Sequence, residues 1–330
     1  MRCAPSNRSL FQLGAAVAFA AGTLVAAKAG SNPVITTIRV GSEAGGIVAA
    51  PKSHLVYVAQ PLESQIGVIN AKTNELSSAI DVAGGEPVGL AISPDGTNLY
   101  ATLFTAGPIG LLEEISAKTG EVLLSLPVGS GPQIPAVSPD ESVICVPNIG
   151  DGTVSVFSPD FEGPVTINGE PIQAVFLSDS LVLVTNETTI INEIDTSNGT
   201  MPNSFSVPTP VFGEVLTRNH KTLYATGENA VYAVDIATSQ VTPIPVSTPT
   251  NPTLGLPLLS ANGDFLYVPV LEIGGNPNVP SVVIVIDTKT NAVVGSPIPV
   301  GDAPVQIGLI GSVGYVSNEI SGTVTVIKVK

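Results

Sequence analysis

Gly85-Glu86-Pro87, Ser93-Pro94-Asp95-Gly96 and Leu99-Tyr100-Ala101 follow one another in a single short stretch. The phrase returns as Asn262-Gly263, Leu266-Tyr267-Val268 and Val285-Ile286-Asp287-Thr288. Seven variants align through the turn that closes each unit's first apolar run, at Ala50, Ser93, Ser138, Ser178, Thr217, Ser260 and Gly311. Successive markers lie 43, 45, 40, 39, 43 and 51 residues apart. A period of about 40–45 residues with several short strands per unit is the mark of a β-propeller blade.

Each unit divides into four short runs. In the second they are Val88–Ser93 (strand a), Asn98–Leu103 (b), Gly110–Ser116 (c) and Val122–Pro127 (d). Val, Ile and Leu dominate, as pleated strands prefer. Turn chemistry separates them: Ser-Pro-Asp-Gly after a, and Ala117-Lys118-Thr119-Gly120 after c. The c–d turn returns as Ala71-Lys72-Thr73-Asn74, Thr196-Ser197-Asn198-Gly199 and Thr288-Lys289-Thr290-Asn291. No helical periodicity runs through these units.

The last unit supplies three strands only: Val305–Ile310, Val313–Ser317 and Thr323–Val329. Its missing outer strand lies at the other end of the chain, in Val34–Val40. There Ile38-Arg39-Val40-Gly41 matches Leu126-Pro127-Val128-Gly129 and Ile298-Pro299-Val300-Gly301, which end other blades. Pairing it into the last blade closes the ring and removes the open edge. The reading is all-β: one seven-bladed β-propeller domain over 30–330, its last blade closed by the N-terminal strand.

Residues 1–29 read as a secretory signal peptide. Arg2 and Arg8 form a basic start, Leu13–Ala27 an Ala-rich apolar stretch, and Ala27-Lys28-Ala29 a small-x-small cleavage site. The alternative is an uncleaved anchor, but the stretch is short for a span that needs about 20 apolar residues. No transmembrane segment is expected in the mature chain, which is placed outside the cytoplasm, periplasmic or extracellular. Cleavage removes three cations and no acid, moving the formal charge from −15 to −18. That disfavours nucleic acid and anionic membranes, both of which require Lys and Arg against phosphate.

Cys3 leaves with the signal, so Cys145 stands alone and no intrachain disulfide forms. It occupies the place held elsewhere by Tyr57, Tyr100, Tyr224 and Tyr267, which marks it as a core thiol.

The combined pattern is Gly-x-x-Pro, Ser-Pro-Asp-Gly, Leu-Tyr-Val-x-Asn, Val-x-Val-Ile-Asp-Thr-x-Thr-Asn and Ile-Pro-Val-Gly. It resembles the YVTN-type β-propeller repeat family over about residues 33–330. The resemblance implies the fold and a binding or surface role. The family's Asn after strand b survives as Asn148, Asn186 and Asn318, and is replaced by Gln60, Leu103, Gly227 and Val270.

Strand order a-b-c-d puts the d–a and b–c connections at one face of the ring. Glu43, Glu86, Glu170 and Asp302 fall in d–a connections; Asn148, Asp151, Asn186, Glu228, Asn229, Glu272 and Glu319 fall in b–c connections. Two b–c loops are long, Phe104–Gly110 and Leu271–Pro280. Such oxygen ligands suit Ca²⁺ or Mg²⁺, so Glu86, Glu170, Asp302, Asn148, Asn186 and Asn318 are candidate metal ligands at the channel mouth. The competing reading is that they are ordinary solvated turn residues.

No catalytic residue and no bound cofactor is expected. His54, Arg218 and His220 fall in a–b turns on the opposite face, and neither His-Glu-x-x-His nor Gly-x-Ser-x-Gly occurs. Asn186-Glu187-Thr188 and Asn198-Gly199-Thr200 are sequons. The expected function is a secreted, non-enzymatic scaffold binding a protein or small ligand on the long-loop face. The alternatives are a lactonase or hydrolase with a divalent ion at the channel mouth, and a structural cell-surface protein.

Overall fold

Val, Ile and Leu runs broken by Asp, Asn, Gly and Pro turns fold into seven antiparallel sheets, strands a to d in chain order in all but the last. The computed structural model describes residues 33–246, 253–271 and 281–330. The signal segment expected over 1–29 therefore lies outside the described residues, as does the second long loop beyond Leu271. Blade 2 is Glu86–Ile92, Asn98–Phe104, Gly110–Ser116 and Val122–Val128, within a residue or two of the sequence reading.

The turns show why these residues recur. Ser93 Oγ donates to Asp95 Oδ1 at 2.6 Å and accepts from the backbone N–H of Thr97 and Asn98 at 3.1 and 3.0 Å. Gly96 sits at φ 81°, which glycine tolerates without a Cβ clash. At the c–d turns Asn74 and Asn291 take φ 56° and 50°, a region that Asn visits more readily than most side chains.

The ring closes as expected. Blade 7 takes Pro304–Ile310, Val313–Asn318 and Thr323–Lys328 from the C-terminal end, and Val34–Arg39 pairs antiparallel with its third strand, Ile38 opposite Val324. Two blades depart from four even strands. In blade 3 strand a shrinks to Ala136–Val137, since Pro132 and Pro135 offer no N–H to a ladder. In blade 6 strand a splits into Thr253–Leu254 and Leu258–Leu259 around Pro257, and strand d into Ala292–Val293 and Ile298–Pro299. A one-turn 3₁₀ helix at Pro61–Glu63 follows strand b of blade 1.

Apolar clusters fill the spaces between blades. Tyr57, Ile66, Leu90, Leu99 and Ile115 join blades 1 and 2; Ile38, Ile47, Val56, Tyr315 and Val324 join blades 7 and 1. The strand-b tyrosines span these interfaces. Tyr57 Oη donates to the Ala117 carbonyl at 2.9 Å, Tyr224 Oη to Asn291 Oδ1 at 3.2 Å and Tyr315 Oη to Asn74 Oδ1 at 2.7 Å. Each reaches the c–d turn of the next blade. Cys145 occupies the corresponding position in blade 3, fully buried, and burial pushes its thiol up.

Around the axis, the inner strands of one blade are tied to the next. Gly46 N–H donates to Val88 O at 2.9 Å, Thr102 Oγ1 to Gln133 O at 2.8 Å, Glu214 N–H to Gln173 Oε1 at 2.7 Å and Leu256 N–H to Val305 O at 2.8 Å. Glu214 is the anomaly. It lies opposite Ala225, where blade 2 has Leu90 opposite Ala101. Its carboxylate is fully buried, and neither oxygen finds a hydrogen bond of good geometry. Burial pushes its carboxyl well above the ordinary range, with the Thr185 backbone only partly opposing.

A group whose folded pKa lies above its unfolded value lowers stability as pH rises past the unfolded value, near 4.3 for Glu. Glu214→Leu is therefore expected to be more stable than wild type at pH 7 by about 1–3 kcal/mol, the scale of one unsatisfied buried polar group. The gap should narrow toward pH 4, where wild-type Glu214 is protonated in both states. Urea unfolding at pH 4 and pH 7 checks both the sign and the narrowing.

Candidate functional site

The inner rim of the face carrying the d–a and b–c connections is hydrocarbon. Val88, Ile134, Ile172, Phe212, Leu256 and Val305, each at or beside the start of an innermost strand, belong to one buried cluster. It draws a side chain from each of six blades. Glu86, Glu170 and Asp302, expected at the channel mouth, stand in or at the end of connections of the same face.

The Asn candidates turn inward as clamps. Asn148 is fully buried at the end of strand b, its Nδ2 donating to Thr153 Oγ1 and Ser155 Oγ at 3.1 and 3.0 Å. Asn318 does the same to Thr323 Oγ1 and Thr325 Oγ1 at 3.1 and 3.0 Å. Asn186 Nδ2 donates to Asn168 O and Asn192 Oδ1, both at 2.8 Å, while its Oδ1 accepts from Thr188 Oγ1 at 2.6 Å. In blade 1 Gln60 takes this part, its Nε2 donating to the Val40 carbonyl. The Gly of each Pro-Val-Gly phrase makes room: a Cβ on Gly129 would stand 2.7 Å from the Asn148 amide, and one on Gly301 2.8 Å from Asn318 Cγ. The same geometry separates the two sequons, since Asn186 is fully buried and Asn198 is exposed.

The acids divide. Asp302 is exposed in the d–a connection before blade 7. Glu86 and Glu170 line one cleft of about 1010 Å³. It runs over blades 1 to 4 and is built from d–a and b–c connections, including the long loop 104–110. A third carboxylate lines it that the sequence reading passed over as part of a sequon, Glu187. Gln133, Phe104 and Ile149 form apolar and amide parts of its wall. No Lys, Arg or His is among the lining residues.

Glu187 is held in the left-handed region at φ 51°, and its backbone N–H donates to Val211 O at 3.2 Å. Burial, and then the negative charge of Glu170, push its carboxyl up to about 7. Among the described residues, no three of His, Cys, Asp and Glu stand close enough to share a metal ion. His54 and His220 sit in a–b turns as the sequence places them, His220 Nδ1 lying 2.6 Å from the Leu177 carbonyl of the neighbouring blade.

Solved structures repeat this ring. The chain superposes on Kuenenia stuttgartiensis hydrazine synthase with a TM-score of 0.72 at 17% identity, covering 94% of this chain and 99% of that one. It superposes on the β-propeller domain of Myceliophteria thermophila Cps50 (Swd1) with a TM-score of 0.72 at 11% identity, covering 90% and 99%. The chain is a seven-bladed β-propeller. At such identities the likeness concerns the fold alone. No protein-family model matches the chain, and no curated sequence is significantly similar to it.

Two outcomes follow from this geometry. Asn148→Ala removes the donor that joins Thr153 to Ser155 and is expected to cost about 1–2 kcal/mol in urea unfolding, with the same loss in EDTA as in millimolar Ca²⁺. A loss present only in Ca²⁺ would make Asn148 a ligand instead. Glu170→Gln removes the like charge beside Glu187 and should lower the Glu187 titration from about 7 toward the ordinary carboxylate range, read by carboxyl-carbon NMR.

Proposed function

We propose that the protein is an exported binding scaffold, similar in kind to YVTN-type repeat propellers, which takes its ligand in the cleft over blades 1 to 4. The observation that carries this reading is the division of labour at one face. Hydrocarbon from six blades forms the inner rim, while a cleft of about 1010 Å³ is built from the d–a and b–c connections of blades 1 to 4. Pockets of roughly 300–1,000 Å³ with a few placed polar groups on apolar walls are the usual form of small-ligand sites. Loops on a rigid scaffold are where such sites arise.

Binding rather than turnover is favoured by what lines the cleft. Its polar groups are carboxylates, an amide and hydroxyls, suited to placing hydrogen bonds on a ligand, and the raised carboxyl of Glu187 can also exchange a proton near neutral pH. Export is supported by the basic, apolar and small-x-small succession in residues 1–29. The divalent-ion hydrolase draws no support from the described acids, because no three of the described His, Cys, Asp and Glu residues gather into one shell.

The test joins both halves. The full chain, expressed in a secreting host, is expected outside the cytoplasm with Gly30 at its N-terminus. A soluble fragment library screened by thermal shift should give hits that vanish in Ile109→Trp, which crowds the cleft from an exposed loop position. A ligand at 100 times its Kd adds about 2.7 kcal/mol to the native state, enough to read as a shift. Hits indifferent to Ile109→Trp would place the binding site elsewhere, and an uncleaved membrane-bound chain would remove export.

A further inference from the structure

We propose that the face carrying the d–a and b–c connections docks a polypeptide partner, a cationic segment that brings aliphatic or aromatic side chains to the rims of blades 7 and 1 to 4. This rests on the reading of that face as the binding face and names its occupant. The first support is where apolar side chains meet water. Leu62, Ile109, Ile190 and Ile320 are 51%, 53%, 41% and 71% exposed. They stand in, or at the end of, the b–c connections of blades 1, 2, 4 and 7. Ile149, half-buried, holds the same place in blade 3, so the series runs over five adjacent blades. Among the described residues, the a–b and c–d turns of the opposite face present no exposed large apolar side chain. Turn tips favour Gly, Asn, Asp, Pro and Ser, and the opposite face keeps to that rule. This face breaks it repeatedly.

Each of the four rides on a fixed turn. Leu62 lies in the one-turn 3₁₀ helix, closed by Ser64 N–H donating to Pro61 O at 3.1 Å. Thr105 Oγ1 donates to the Ile109 carbonyl at 2.5 Å, and Ile190 N–H to Thr188 Oγ1 at 3.1 Å. The Ile320 turn is closed by Gly322 N–H donating to Glu319 O at 3.3 Å, and Asn318 clamps it from inside. Anchors fixed beforehand lose little freedom on binding.

The second support is charge. The described d–a and b–c connections carry Glu63, Asp151, Glu170, Glu187 and Asp302 among their acids, and no Lys, Arg or His. Every Lys and Arg of the described turns, Lys52, Lys118, Arg218 and Lys289 among them, lies on the opposite face. Glu63 and Asp151 accept from the backbone N–H groups of Ser42 and Ser130, both at 2.8 Å, and such neutral donors leave their charge in place.

Charge chooses among occupants. A second copy would set the same acids against these, in a chain of formal charge −15. Nucleic acid or an anionic membrane would bring phosphate. A small cation covers one rim and leaves the other anchors in water. A polypeptide spans several rims, and Lys or Arg beside Leu, Ile or Phe matches both patterns.

Selection of a random dodecapeptide phage library on the full chain, followed by anisotropy titration of the enriched peptides, tests the proposal. Enriched sequences are expected to combine Lys or Arg with Leu, Ile, Phe or Trp. The double variant Leu62→Ser/Ile320→Ser, changed only at exposed positions, should melt like wild type and weaken the enriched peptide at least about fivefold. Leu123→Ser, on the exposed outer strand of blade 2, should leave it unchanged. Raising NaCl from about 0.15 to about 0.5 M should weaken it as well.

No enriched sequence, acidic or uncharged enriched sequences, or binding indifferent to the double variant overturns the proposal. So does loss in Leu123→Ser, which would move docking to a sheet edge. Neither Leu62 nor Ile320 lines the cleft, so the two readings fail separately. Fragment hits lost in Ile109→Trp, without a basic enriched peptide, overturn the partner and keep the cleft. Peptide binding lost in the double variant, without fragment hits, supports the partner and overturns the small-ligand cleft. Absence of both overturns the face.

Discussion

Every blade is a twisted sheet with two apolar faces, and in a ring only another blade can cover them. Ile66 and Leu99 are inaccessible because blade 2 stands against blade 1, and Val56 and Val324 because blade 7 stands against it from the other side. A single repeat would leave both faces in water, so stability belongs to the closed circle. This is why the N-terminal strand must reach the last blade. Val34–Arg39 removes the one free edge, and Ile38 fills the last interface.

The same constraint gives residues that look like chemistry a structural role. A tyrosine on strand b recurs because its ring fills the space between sheets and its hydroxyl reaches the next blade's c–d turn, as Tyr315 reaches Asn74. An Asn after strand b recurs because one side-chain amide can hold a b–c turn from inside, as Asn148 holds Thr153 and Ser155. The glycine of the Pro-Val-Gly phrase recurs because that amide occupies the space a Cβ would need. Asn148, Asn186 and Asn318 thus hold their turns through Nδ2, while the Oδ1 atoms of Asn148 and Asn318 are buried without a hydrogen bond.

Periodicity made the fold legible. Blade number, strand order, the closing strand and the placement of His54 and His220 all follow from turn chemistry repeated at nearly constant spacing. Legibility fails where proline overrides the repeat: Pro132 and Pro135 shorten strand a of blade 3, and Pro257 splits that of blade 6. It fails again at the axis. Val88, Ile134 and Phe212 read as ordinary strand hydrophobes, and only the ring's curvature brings them into one cluster. Glu86 and Glu170 were visible as acids of one face. Glu187 was hidden in a sequon, and nothing in the local sequence shows that it stands near Glu170 from the adjacent connection.

A ring of seven similar blades offers seven similar rims, so a specific site requires broken symmetry. The symmetry breaks over blades 1 to 4, and it does so with means the core does not use. Loop 104–110 lengthens one rim, Pro132 pulls Gln133 out of a regular strand, and the left-handed turn at Glu187 brings a carboxylate beside that of Glu170. Each departure has an energetic cost in the empty protein: an orphaned amide oxygen, a strained backbone, two like charges at close quarters. Glu214 shows what such a cost looks like deep in an interface, where no lining of the cleft reaches it. Around the cleft such costs gather at one rim, in connections that ring closure does not depend on. Local strain persists where the surrounding structure over-determines it, and functional sites are where it clusters.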